Sequence, residues 1–89
     1  MFRVLVSKRA KRFLETLDEK RRKKIIGILE TLQHNPLPFR VYDMRKLEGM
    51  EKAYRIRIGD IRITYELLME DHLIKVRYLG FRGGAYKKR

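Results

Sequence analysis

The chain contains no cysteine, which excludes disulfides and thiol chemistry and makes a reducing compartment, the cytoplasm, the expected setting. Its two histidines, His34 and His72, lie far apart with no metal-ligand spacing around them. A bound metal is therefore not expected, and neither is any other cofactor. No apolar run exceeds three residues, whereas a membrane-spanning helix needs about 20. Nothing behind Met1-Phe2-Arg3 reads as the apolar region of an export signal. Acidic residues are also scarce, 11 against 23 Lys and Arg, which leaves a net charge of +12. Glutamine and asparagine occur once each, a usage in keeping with a thermophilic source.

What remains is a basic chain of 89 residues, read as a single domain spanning 1–89. A hydrophobic content of 44% is enough to fold, although a chain of this size has only a thin core. An isoelectric point near 10.4 calls for a polyanionic partner, because unrelieved self-repulsion works against a compact state.

The hydropathy pattern changes period once along the chain. Phe2–Val6 alternates as a strand. Ser7 then sits as an N-cap before Ala10, Phe13, Leu14 and Leu17 at helical spacing. Asp18 caps a longer predicted helix, Glu19–His34, whose apolar face is Ile25, Ile26, Ile28, Leu29 and Leu32. Pro36 and Pro38 end it. From Val41 the period becomes 2. Strands are predicted over Tyr54–Ile58, Ile61–Leu67 and Leu73–Leu79, with turns at Gly59-Asp60 and near Glu70-Asp71. The expected architecture is α+β in the order β-α-α-β-β-β, an antiparallel meander with a helical hairpin on one face.

Alternation splits the strand charges from the core. Tyr54, Ile56 and Ile58 point one way and Arg55 and Arg57 the other. Arg62, Lys75, Arg77 and Arg82 are expected to join them on neighbouring strands, a repulsive surface suited to a polyanion. Lys23 and Lys24, within the helical run Lys20–Lys24, are further candidates for holding a nucleic-acid backbone. Tyr86 lies in a glycine-rich cationic tail, a place for a tyrosine that stacks on a base or hydrogen-bonds a phosphate, or that anchors the C-terminus on the domain. His34 and His72 read as solvated element ends, and Glu48, Asp60 and Glu70 as turn formers.

Several of these pieces form a recognisable combination. Lys46-Leu47-Glu48-Gly49, the strand Tyr54-Arg55-Ile56-Arg57, Gly59-Asp60-Ile61-Arg62-Ile63-Thr64-Tyr65, Gly80-Phe81-Arg82 and Tyr86 together resemble the RelE/ParE toxin superfamily, most closely its archaeal RelE branch. The resemblance implies a ribosome-dependent, metal-independent endoribonuclease that cuts mRNA in the ribosomal A site and leaves 2′,3′-cyclic phosphate and 5′-hydroxyl ends. It also implies the ribosome, mRNA and an acidic RelB-type antitoxin as partners. On this mapping Arg57, Arg62, Arg82 and Tyr86 are catalytic, while Arg55, Lys75, Arg77, Lys23 and Lys24 bind RNA. Arg55 and Arg57 stand where the bacterial RelE pattern has lysines. An arginine is a poor base, so Arg57 is expected to act by charge and alignment. No room is seen after Tyr86 for the C-terminal helix that some relatives carry. The other readings are a ParE-like gyrase poison and a nucleic-acid-binding module without chemistry.

Overall fold

The structure is a computed structural model in which residues 1–82 are described. Strand β1 (Arg3–Val6) leads into helix α1 (Lys8–Thr16) and then, after Leu17 and Asp18 alone, into helix α2 (Glu19–His34). Both expected caps form: Ser7 accepts from the Ala10 amide and Asp18 from the Arg21 amide, satisfying first-turn donors that a helix leaves open. Strands β2 (Asp43–Lys46), β3 (Ala53–Ile58), β4 (Ile61–Leu68) and β5 (Leu73–Phe81) follow, with a single 3₁₀ turn at Met69–Asp71 before β5. Among the described residues, no helix is long and apolar enough to cross a membrane.

The sheet order is β1-β5-β4-β3-β2. The four later strands pair antiparallel, as the meander reading requires, while β1 runs parallel to β5 and makes the sheet mixed. The sheet therefore has one strand more than the pattern predicted. Asp43–Lys46 has one apolar residue, the buried Met44, and becomes a strand by pairing with β3. Ile58 pairs with Ile61, so Gly59-Asp60 is a two-residue loop. Gly59 takes φ +58°, the first-position glycine that a tight hairpin favours.

One face of the sheet is covered by the helices. Ile25, Ile28 and Leu32 from α2 and Ala10 from α1 close on Ile56, Ile61, Ile63, Tyr65, Ile74, Val76 and Leu79. Tyr65 is fully buried, and its hydroxyl donates to the Pro36 carbonyl oxygen at 2.7 Å, which ties the end of the α2 connection to mid-sheet. Ile26, expected on the apolar face, is instead 40% exposed. At 100° per residue it points away from the stripe that Ile25, Ile28 and Leu32 define.

The pairing of β4 with β5 contains a bulge that no pattern announced. Thr64 opposes Tyr78 while Tyr65 opposes Val76, so Arg77 is the extra residue. Core-facing positions are Ile74 and Val76 before it, and Leu79 and Phe81 after it. Ser7 fastens this irregularity, its amide donating to the Val76 carbonyl and its hydroxyl to the Arg77 carbonyl, at 3.1 and 3.3 Å.

Candidate nucleic-acid interface

The sheet face opposite the helices carries the arginines. Strand register arranges them in rungs. Asp43, Arg57, Arg62 and Gly80 lie side by side across β2 to β5, and Arg45, Arg55, Thr64 and Tyr78 form the next rung. Strands sit about 4.8 Å apart, so Arg57 and Arg62 are two like charges on adjacent positions. Among the described residues neither Arg55 nor Arg62 has a carboxylate partner. Arg57 has Asp43, with Nε 3.4 Å from Oδ2. That contact is an ion pair without hydrogen-bond geometry. The buried Nε atoms of both Arg55 and Arg57 therefore lack an acceptor among the described residues.

Burial and crowding both act on Arg55. Burial, and then the charges of Arg57, Arg45 and Arg62, pull its guanidinium below the ordinary arginine value, with Asp43 opposing them. The group remains a cation, since guanidinium groups are not deprotonated in proteins. The rung thus holds a fixed concentration of positive charge and incompletely used N–H donors.

Arg82 reaches the same end of the face from β5. Its amide donates to the Asp60 carbonyl at 2.9 Å, and Nη1 donates to the Gly59 carbonyl at 2.8 Å, which fixes it at the β3–β4 turn. The opposite end is different in character. Glu66 opposes Lys75 and accepts from Arg77, with Nη2 at 2.8 Å and Nε at 3.2 Å. Glu66 is four residues from Arg62 on β4, about 13 Å along the strand. Lys75 and Arg77 consequently belong to a partly neutralised margin of the face.

Lys23 and Lys24 do not join this surface. They lie on α2, in the layer that packs on the other side of the sheet. Lys23 stands 4.0 Å from Glu19, and Lys24 lines a cleft of about 400 Å³ with Arg21, Ile58 and Asp60. Their neighbours Arg21 and Arg22 are spent on structure, Arg21 on Asp18 and Asp60 and Arg22 on the Leu17 carbonyl at 2.6 Å. Tyr86 lies outside the described residues.

Two participants were not anticipated. Asp43 belongs to the strand that the pattern missed. Tyr78 follows the bulge, which turns it onto the arginine face, where it is 39% exposed. A signal for it exists: apolar residues fall on even numbers at Ile74 and Val76 and on odd numbers at Leu79 and Phe81. A phase slip of that kind marks a bulge. Among the described residues, no group of three or more His, Cys, Asp or Glu side chains could hold a metal ion.

No protein-family model matches the chain. It is 38% identical over 86 residues to the candidate toxin RelE1 of Methanocaldococcus jannaschii, covering 97% of this chain and 96% of that protein. Among solved structures, the RelE–RelB complex of Pyrococcus horikoshii superposes with a TM-score of 0.84 at 31% identity, covering 94% of this chain and 98% of the matched one. The RelB–RelE complex of Methanococcus jannaschii gives 0.73 at 28%, covering 88% and 89%. The intact RelBE complex of E. coli gives 0.78 at 20%, covering 93% and 99%, a likeness of fold.

Proposed function

This chain belongs to the RelE toxin family, and from that premise we propose that it is the toxin of a type II toxin–antitoxin pair, an endoribonuclease that cuts mRNA in the ribosomal A site. The observation that carries this reading is the Arg57–Arg62 rung, two guanidinium groups side by side, Arg62 with no carboxylate partner among the described residues and Arg57 with only its Asp43 contact, with Arg55 next to them and buried N–H donors left over. Phosphate oxygens are the acceptors such forks fit.

The chemistry we infer is transesterification. The 2′-oxygen bonds to the adjacent phosphorus as the P–O5′ bond breaks, the 2′-hydroxyl proton passes to solvent water, and the leaving 5′-oxygen takes up a proton from solvent. The products are a 2′,3′-cyclic phosphate and a 5′-hydroxyl. Negative charge grows on the phosphoryl oxygens, and fixed cations around them lower the barrier. Arg62 and Arg82 are assigned that clamp, with Arg82 nearer the leaving oxygen, while Arg55 and Arg57 hold the backbone and Tyr86 aligns the base. No arginine here is a good proton acceptor at neutral pH. The ribosome therefore supplies part of the geometry, and free RNA is a poor substrate. Written this way the reaction uses no metal.

In the resting cell the same face is covered by an acidic RelB-type antitoxin whose carboxylates pair with the arginines. Action on ribosomes places both proteins in the cytoplasm.

Primer extension on mRNA bound to programmed ribosomes tests the reading. Cuts in the A site that persist in a chelator at levels leaving ribosomes intact, with 5′-hydroxyl ends, are expected. Products with 5′-phosphate and 3′-hydroxyl ends would overturn the mechanism. Intact mRNA with translation unaffected would overturn the enzyme assignment and favour a gyrase-directed toxin.

A further inference from the structure

Tyr78 is the one large aromatic side chain that the described residues place on the arginine face. Its position follows from the Arg77 bulge: between the core residues Val76 and Leu79 two consecutive positions, Arg77 and Tyr78, are exposed. Strand β1 ends at Val6, opposite Val76, so beyond that point β5 has no strand paired on its outer side. The ring leans along β5 over Gly80. A Cβ built at Gly80 would collide with the Tyr78 hydroxyl and the ring carbon that bears it. Glycine at 80 is therefore what lets the ring lie down along the strand. Gly80 pairs with Arg62 and Tyr78 with Thr64, which itself pairs with Arg55. The ring thus borders both the Arg57–Arg62 rung and the Arg55 rung. Among the described residues no other ring stacks on it.

An exposed ring seated at the rim of a cationic strip is the arrangement used to hold single-stranded nucleic acid, with charge tracking the backbone and the ring taking a base. We propose that Tyr78, seated on Gly80, is a stacking platform for an unpaired RNA base whose phosphate lies on Arg62 and Arg55. The proposal rests on the reading of this face as an RNA site, and it adds a second aromatic contact to the one assigned to Tyr86.

The chain has no tryptophan, so Tyr78→Trp installs a single reporter whose emission is quenched when a base stacks on it. The probe is a single-stranded hexanucleotide RNA, titrated into the full chain at several salt concentrations. Quenching on binding is expected. Tyr78→Ala is expected to weaken binding about 5- to 150-fold, the range for losing one base–aromatic stack, and Tyr78→Phe to restore it. No charge is removed, so the slope of log affinity against log salt should stay as in the parent chain. A merely structural loss would disturb the arginines and flatten that slope. Should Tyr78→Ala not fold, Tyr78→Leu keeps the bulk without the ring and answers the same question. Binding by Tyr78→Ala equal to the parent, failure of Tyr78→Phe to restore it, or an unquenched tryptophan would each overturn the proposal. Ribosomal cleavage by the parent chain is scored separately: parental cleavage with unaltered Tyr78→Ala binding removes the platform and leaves the enzyme standing. Absent cleavage with full quenching removes the enzyme and leaves the platform.

Discussion

Arg21 and Asp60 form a two-pronged ion pair that ties the first turns of α2 to the β3–β4 hairpin, Nε donating to Oδ1 at 3.1 Å and Nη2 to Oδ2 at 2.7 Å. The third guanidinium nitrogen, Nη1, donates to Asp18 at 2.9 Å. One arginine of the helical basic run thereby braces the turn on which Arg82 is also anchored.

Acid should loosen this brace. Hydrogen bonds from Arg21 hold both the Asp60 and the Asp18 carboxyls below the ordinary carboxylate range. A depressed folded-state value means the stabilisation is complete above the unfolded value, near 4, and is lost as pH falls through the folded one. Urea midpoints measured from about pH 7 to about pH 2 are expected to drop for the parent below about pH 4. They should drop less steeply for Asp60→Asn, which starts lower at neutral pH. Added salt should narrow the gap, because the pair is partly exposed. Parallel curves for the two proteins would show the brace to be without weight.

Activity and stability are expected to part company at Arg62. Replacing it with Gln removes one of two adjacent like charges and should raise the urea midpoint by the equivalent of about 0.2–1 kcal/mol. The same change should lower ribosome-bound cleavage about 10²- to 10³-fold, the usual cost of removing one transition-state donor. Arg82→Ala should lose cleavage to a similar degree, with its far-UV spectrum unchanged.

Ribosome or RNA binding by the free protein should weaken steeply as salt rises from about 50 to 200 mM, through counterion release. Arg55→Ala and Arg57→Ala should each reduce the slope by about one. Lys23→Ala, on the helical layer, should leave it nearly unchanged. An equal effect from Lys23 would mean that RNA wraps both layers.

In the core, Tyr65→Phe deletes the hydroxyl that satisfies the Pro36 carbonyl and should cost about 1 kcal/mol by chemical denaturation. Ile63→Ala, at a fully buried position, should cost about 2–5 kcal/mol.

Local chemistry explains which parts of this fold were readable in advance. Ser7 and Asp18 announce the helices because capping is decided within three residues, and Glu19–His34 ends where Asn35-Pro36 forbids its continuation. Strands β3 and β4 announce themselves through alternation, and with them the face that Arg55, Arg57 and Arg62 share. Strand β2 does not, because Asp-Met-Arg-Lys has too few apolar residues to show a period. The parallel pairing of β1 with β5 joins residues some seventy positions apart, and nothing in either segment encodes the partner. Lys23 and Lys24 could not be assigned to a side of the sheet from their charge alone. The facing of Tyr78 was not read in advance, because it depends on a bulge held by a distant serine.

The place of β5 between β1 and β4 has a consequence for synthesis. During synthesis β1 must wait for β5, and α1, which packs chiefly on β5, waits with it. A nascent chain that has not yet reached Leu73 has neither a partner for β1 nor a seat for Tyr78. The charged strip can form early as a hairpin of β3 and β4, but the rung that ends on Gly80 is completed only once β5 has been made.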